Sequence, residues 1–128
     1  YIYDLTKKFL SYGINEVVIA DTIGKGKPDQ VKKLFRRLVK DFGSSDFSAH
    51  FHDTHLLALS NVKAAIEEGI TKFDSCIAGL GGCPFAPGAS GNLATEDLVS
   101  MLHKEGYETG ISEEMLHNSA KLAAQLTN

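Results

Sequence analysis

His50 and His52, in the run AHFHDT, are the residues whose types and spacing speak first to chemistry. On an extended segment, residues i and i+2 project to the same face. Two imidazoles are then presented together while Phe51 turns into packing. Such a pair is the beginning of a divalent-metal site. Surface histidines or hydrogen-bonded core histidines satisfy the same spacing. The end of a parallel strand favours the ligand reading, because α/β proteins keep their sites there. Asp53 follows directly and could orient one of the rings.

A third ligand has to come from elsewhere, and the stretch 79–97, GLGGCPFAPGASGNLATED, supplies a candidate. It holds five of the chain's twelve glycines and two of its three prolines, so it cannot be a helix or strand interior. It reads as a rigid loop presenting Cys83, Asn92 and Glu96. The Asn92 amide oxygen, with two imidazole nitrogens, suits Mn²⁺, Mg²⁺ or Zn²⁺. The first two are favoured if carboxylates and water complete an octahedron. Cys83, set among glycines and a proline, is the thiol placed for chemistry, against the alternative of a buried cysteine in a long surface loop. Cys76 falls in an apolar run and reads as a small core residue. Asp21, after the apolar run EVVIA, is a candidate base or an acceptor for a histidine; a turn former or helix cap is the simpler reading. The Gly24-Lys25-Gly26 turn is too short to define a phosphate loop. His55, His103 and His117 are expected on helix surfaces.

The elements that position these residues follow from periodicity. Strands are expected over 16–20, 47–52 and 71–77, each an apolar run ending in polar residues. Helices are expected over 4–12, 28–42, 56–68, from Thr95 to Gly106, and after Ser112. The first would bury Leu5, Phe9 and Tyr12. Pro28 suits a first helical position, and Gly13, Gly43, Gly69 and Gly106 suit helix stops. Lys32, Lys33, Arg36, Arg37 and Lys40 read as the solvated face of the second helix. Alternating buried strands and amphipathic helices mean a parallel sheet in an α/β protein.

The chain's 128 residues suffice for one domain with a core, and are about half of what an eight-stranded barrel takes. A small open sheet is the alternative. A net charge of −3 gives no reason to expect nucleic acid or an anionic membrane as partner. No apolar run approaches the ~20 residues of a membrane span. Two cysteines are too few for a secreted disulfide framework, so both are expected as thiols in a reducing compartment. Tyr1 in place of methionine suggests a trimmed, processed or incomplete chain.

GLGGCPFAPGASGNLATEDL resembles the signature loop of 3-hydroxy-3-methylglutaryl-CoA lyases, and VVIADTIGKGKP and AHFHDT resemble the two preceding strand ends of the same enzymes. The order and spacing agree from about Ile14 to Gly110. The resemblance implies a (β/α)8 TIM barrel, of which this chain covers the last three βα units. It implies cleavage of an acyl-CoA substrate, 3-hydroxy-3-methylglutaryl-CoA, to acetyl-CoA and acetoacetate. It implies His50, His52 and Asn92 as ligands of Mg²⁺ or Mn²⁺, with His50 also helping to move a proton. Cys83 would be the acid that protonates the departing carbanion, and Asp21 and Glu96 supporting residues. A homo-oligomer in the bacterial cytoplasm or mitochondrial matrix is expected. The family's first strand, with an aspartate ligand and an arginine, has no counterpart here. Related aldolases and acyl-CoA condensing enzymes share the histidine motif but generally lack the cysteine loop. They are the first alternative, and an inactive, self-associating half-barrel is the second.

Overall fold

The computed structural model describes residues 1–81 and 91–126. The elements run α1 (Ile2–Ser11), β1 (Val17–Asp21), α2 (Pro28–Phe42), β2 (Phe47–Phe51), α3 (Ala58–Ile66), β3 (Phe73–Asp74), a 3-10 turn (Ile77–Gly79), α4 (Thr95–Lys104) and α5 (Glu113–Leu126). The three strands form one parallel sheet in the order β1-β2-β3. Val17 lies opposite Phe47 and Asp21 opposite Phe51, while His50 lies opposite Asp74. This is the α/β alternation expected from the sequence.

β2 is the central strand and the most buried, with Phe47, Ser48, Ala49 and Phe51 all out of solvent. Helices α2 and α3 cover the sheet with Val31, Phe35 and Leu38 from one and Ala58, Val62 and Ala65 from the other. These are i, i+3, i+4, i+7 stripes, as a helix with one buried face requires. Among the described residues, no helix is long and apolar enough to cross a membrane.

The basic face of α2 is not wholly solvated. Lys32 pairs with Glu67, and Arg36 with Glu68 at 2.8 Å, so two of its cations tie α2 to the end of α3. The hydrogen bond from Arg36, reinforced by its charge, holds the Glu68 carboxyl below the ordinary carboxylate range against the opposing effect of desolvation. A carboxyl whose folded pKa is depressed stabilises the fold above its unfolded value of about 4.3. That stability is lost as pH falls through the lower folded value. Arg36→Met is therefore expected to flatten the stability-against-pH curve below about pH 4.3. A pH series of urea midpoints reads this, and an unchanged acid limb would remove the pair from the acid response.

Several elements differ from the sequence expectation. α1 packs Tyr3, Thr6 and Leu10 toward the core; of the expected face Leu5 is half-buried, while Phe9 and Tyr12 are exposed. The reason is Tyr3, whose ring packs on Phe42, lies under Arg37 and donates its hydroxyl to Asp41 at 2.8 Å. α3 starts at Ala58, two residues later than expected, because Leu56 has a φ of +56° and the Asp53 carboxylate takes the Ala58 N–H at 3.0 Å. β3 is two residues, not seven. Beyond it, the backbone of Cys76 is claimed by the returning chain: its N–H donates to Leu93 and its carbonyl accepts from Thr95, both at 3.0 Å. Those groups cannot also serve a ladder to β2. Cys76 is half-buried.

At α4 the cap position is held by Ala94, and the hydroxyl of Thr95, the first helical residue, pairs with Ser75 at 2.9 Å. α5 begins after Ser112, whose hydroxyl accepts the Met115 N–H at 3.4 Å, but it leaves Met115, Leu122 and Leu126 exposed.

Candidate metal centre at the strand ends

β2 delivers His50 and the residue just past its end, His52, to one face. Their rings meet edge to face with centroids 5.0 Å apart. His52 is buried, and its Nδ1 lies 3.1 Å from the Asp21 carbonyl. A carbonyl only accepts, so Nδ1 carries a proton, and in the neutral ring Nε2 keeps its lone pair. That is the tautomer a metal-binding histidine adopts when a backbone carbonyl orients it. His50 is half-buried and faces Asp74 across the strand pair at 3.6 Å, too far for a hydrogen bond.

Asn92 reaches this pair from the far side of the loop. It forms an antiparallel bridge with His52. Its amide NH₂ donates to the Leu80 carbonyl at 2.8 Å. Its Oδ1 is buried and has no hydrogen-bond donor among the described residues. An orphaned buried carbonyl is costly. Asn92 is bridged to His52 through its backbone, and a set of two imidazole nitrogens and one hard oxygen fits a divalent cation. Among the described residues, no three His, Cys, Asp or Glu side chains converge. The Asn92 amide oxygen is the candidate for a third donor.

Glycines allow Asn92 to be there. A Cβ on Gly91 would collide with the Gly79 carbonyl oxygen, and one on Gly81 would stand 3.0 Å from Asn92 Nδ2. The two legs of the loop thus cross backbone to backbone. The crossing is tied by Asn92 N–H to the Gly81 carbonyl at 3.0 Å, and Leu93 N–H to the Phe51 carbonyl at 3.1 Å fastens the returning segment to β2.

The remaining sequence candidates divide. Asp21 lies next to the pair, but its carboxylate accepts the Lys25 and Gly26 N–H groups at 3.0 and 2.7 Å. It shapes the turn with its side chain and orients His52 with its carbonyl. Glu96, in the first turn of α4, accepts the N–H of Ala78, a residue at φ +53°, at 3.1 Å. Asp53 caps α3. Cys83 lies outside the described residues. His55 is in a turn, not a helix, with Nδ1 3.0 Å from the Gly24 carbonyl. His103 is half-buried between Glu113 and Thr109, where an exposed helix position was expected.

Two further residues stand outside the sequence candidates. Asp74 is brought to His50 only by strand register. Asn61, fully buried on α3, carried a legible signal: it is the polar member of the stripe Ala58, Asn61, Val62, Ala65.

A parallel α/β chain with its polar cluster at the C-terminal strand ends is the arrangement of TIM-barrel-type proteins. The comparisons narrow the class. The chain belongs to the HMGL-like family, which it matches over residues 1–123. It is 43% identical over 123 residues to hydroxymethylglutaryl-CoA lyase of Pseudomonas mevalonii, covering 95% of this chain and 41% of that protein. It is 42% identical to the mitochondrial hydroxymethylglutaryl-CoA lyase of Homo sapiens, covering 99% and 39%. Among solved structures, an HMG-CoA lyase from Acinetobacter baumannii in complex with coenzyme A and 3-methylmalate superposes with a TM-score of 0.92 at 41% identity, over 98% of this chain and 41% of that one. The chain thus spans about two-fifths of the length of these relatives.

Proposed function

We propose that this chain provides the last three βα units of a (β/α)8 barrel that cleaves 3-hydroxy-3-methylglutaryl-CoA to acetyl-CoA and acetoacetate. The observation that carries the reading is the Asn92 oxygen, without a donor among the described residues, on a segment bridged to His52 of the His50–His52 pair, in a chain whose relatives bear the lyase name. His50, His52 and Asn92 would hold Mg²⁺ or Mn²⁺. Bound there, the cation supplies the charge that lowers the pKa of the substrate's tertiary hydroxyl and fixes its orientation.

The chain's own residues do the rest. The reaction is a retro-Claisen cleavage, so the tertiary hydroxyl loses a proton and the acetyl-CoA carbanion gains one. His50, half-buried at the strand end, is the group at hand to help move the first proton. Cys83 supplies the second from its thiol. Asp21 keeps the first loop folded and aims its carbonyl at His52. Glu96 holds the 3-10 turn at the head of the glycine loop. The substrate is an acyl-CoA, and the assembled protein is a homo-oligomer of the bacterial cytoplasm or mitochondrial matrix.

Acetoacetate formation from 3-hydroxy-3-methylglutaryl-CoA with Mn²⁺, by the complete barrel that includes these units and by its Cys83→Ala variant, tests the proposal. The variant is expected to lose about 10²–10⁴-fold in turnover, the usual worth of a positioned acid, while keeping its Mn²⁺ affinity. Normal turnover in the variant would remove Cys83 as proton donor. A folded complete barrel without turnover would overturn the lyase reading.

A further inference from the structure

Asn61 is an amide in the apolar stripe of α3 with no exposure at all. Burying an amide is costly unless it is hydrogen-bonded. Its Nδ2 donates not within its own helix but 35 residues away, to the Gly26 carbonyl at 2.9 Å. Its Oδ1 has no donor among the described residues. A hydrophobic residue would fill this position at lower cost, so what the amide does is clamp Gly26.

Gly26 is the end of the turn that starts at Asp21. Its N–H and that of Lys25 close on the Asp21 carboxylate. The turn is packed without slack: a Cβ on Gly26 would stand 2.9 Å from Asp21 Oδ2, and one on Gly24 2.9 Å from the His52 carbonyl. The Asp21 carbonyl accepts the Gly24 N–H at 3.2 Å and His52 Nδ1 at 3.1 Å, which uses both of its lone pairs. A continuous path of hydrogen bonds therefore runs from Asn61 through Gly26 and Asp21 to the His52 ring.

We propose that Asn61 is a positioning residue for His52: by clamping Gly26 it holds the 21–26 turn so that the Asp21 carbonyl fixes His52 as its Nδ1–H tautomer, leaving Nε2 unprotonated. The tautomer follows from geometry alone. Its consequence for metal binding rests on the proposed role of His52 as a ligand.

The test is long-range ¹H–¹⁵N NMR of the His52 ring in the intact, metal-free chain at pH 8, with a parallel Mn²⁺ titration. The parent is expected to show the Nδ1–H form. Asn61→Ser, too short to reach Gly26, is expected to show a mixture of tautomers and an Mn²⁺ dissociation constant about tenfold higher, the scale of losing an outer hydrogen-bond partner. Val62→Ala loosens the same helix without touching Gly26, and is expected to leave the His52 signals in place. Should Asn61→Ser fail to fold, Gly26→Ala attacks the same path from the turn and is expected to change His52 alike. An unchanged tautomer in Asn61→Ser or Gly26→Ala overturns the proposal, and so does an equal change in Val62→Ala. A tautomer change specific to Asn61→Ser and Gly26→Ala, in a chain whose parent binds no Mn²⁺, supports the positioning role and overturns the metal reading instead.

Discussion

His52→Ala is expected to weaken Mn²⁺ binding by about a hundredfold or more, since loss of a mere outer partner of a ligand already costs about ten- to a hundredfold. His52 is the best held of the candidate donors. Its ring is buried, its Nδ1 proton is committed to the Asp21 carbonyl, and its backbone is bridged to Asn92. A ligand so preorganised has little freedom left to lose on binding, so its removal forfeits nearly the whole of its contribution. His50 is less constrained, since Asp74 stands beyond hydrogen-bond reach. His50→Ala is therefore the milder of the two variants. Titration with Mn²⁺, followed by its electron paramagnetic resonance signal, separates them, with circular dichroism to check that both remain folded. An unchanged titration in folded His52→Ala would remove that residue from the site.

The second large effect is expected from Gly91→Ala. No positive φ explains the glycine there; the lack of space does. The added Cβ would strike the Gly79 carbonyl and come within 2.8 Å of that of Gly81. Both obstacles are backbone, so neither can swing aside as a long side chain would. Relief requires the two legs of the loop to separate, which breaks the bonds from Asn92 N–H to Gly81 and from Asp53 N–H to Gly91, at 3.0 and 3.3 Å. A cost of about 2–3 kcal/mol is expected from the overpacking, together with loss of the Asn92 contribution to metal binding. Gly13→Ala is the contrast. Its φ is +82° but nothing lies within 4 Å of the added methyl, so only the left-handed penalty of about 1–2 kcal/mol applies and metal binding stays intact. Urea unfolding of the two variants with Mn²⁺ titration of each reads the difference. Gly91→Ala with parental stability and affinity would mean that the loop legs do not need their close crossing.

Local sequence carried much of this protein. The apolar runs that become β1 and β2, the stripes of α2 and α3, and the glycines that end the helices are set by side-chain chemistry within a few residues, and all were legible. So was the placing of His50 and His52 on one face, because strand pleating has a period of two. The composition of 79–97 marked a loop; residues 91–94 leave it for α4, which begins at Thr95, and residues 82–90 lie outside the described residues. What periodicity could not tell was decided by partners distant in the chain. Tyr3 turned α1 to another face because Arg37, Asp41 and Phe42 lie in wait on α2. β3 stopped after two residues because the 93–95 segment took the backbone groups of Cys76. Asp21 acts on His52 through its carbonyl, while its carboxylate serves its own turn. Asp74 meets His50, and Asn61 meets Gly26, only once the strands and helices have docked. A periodic pattern fixes which face a residue shows. Which atom across that face completes its hydrogen bonds is fixed only by tertiary packing, which bridges Asn92 to His52 and leaves the Asn92 oxygen without a donor among the described residues.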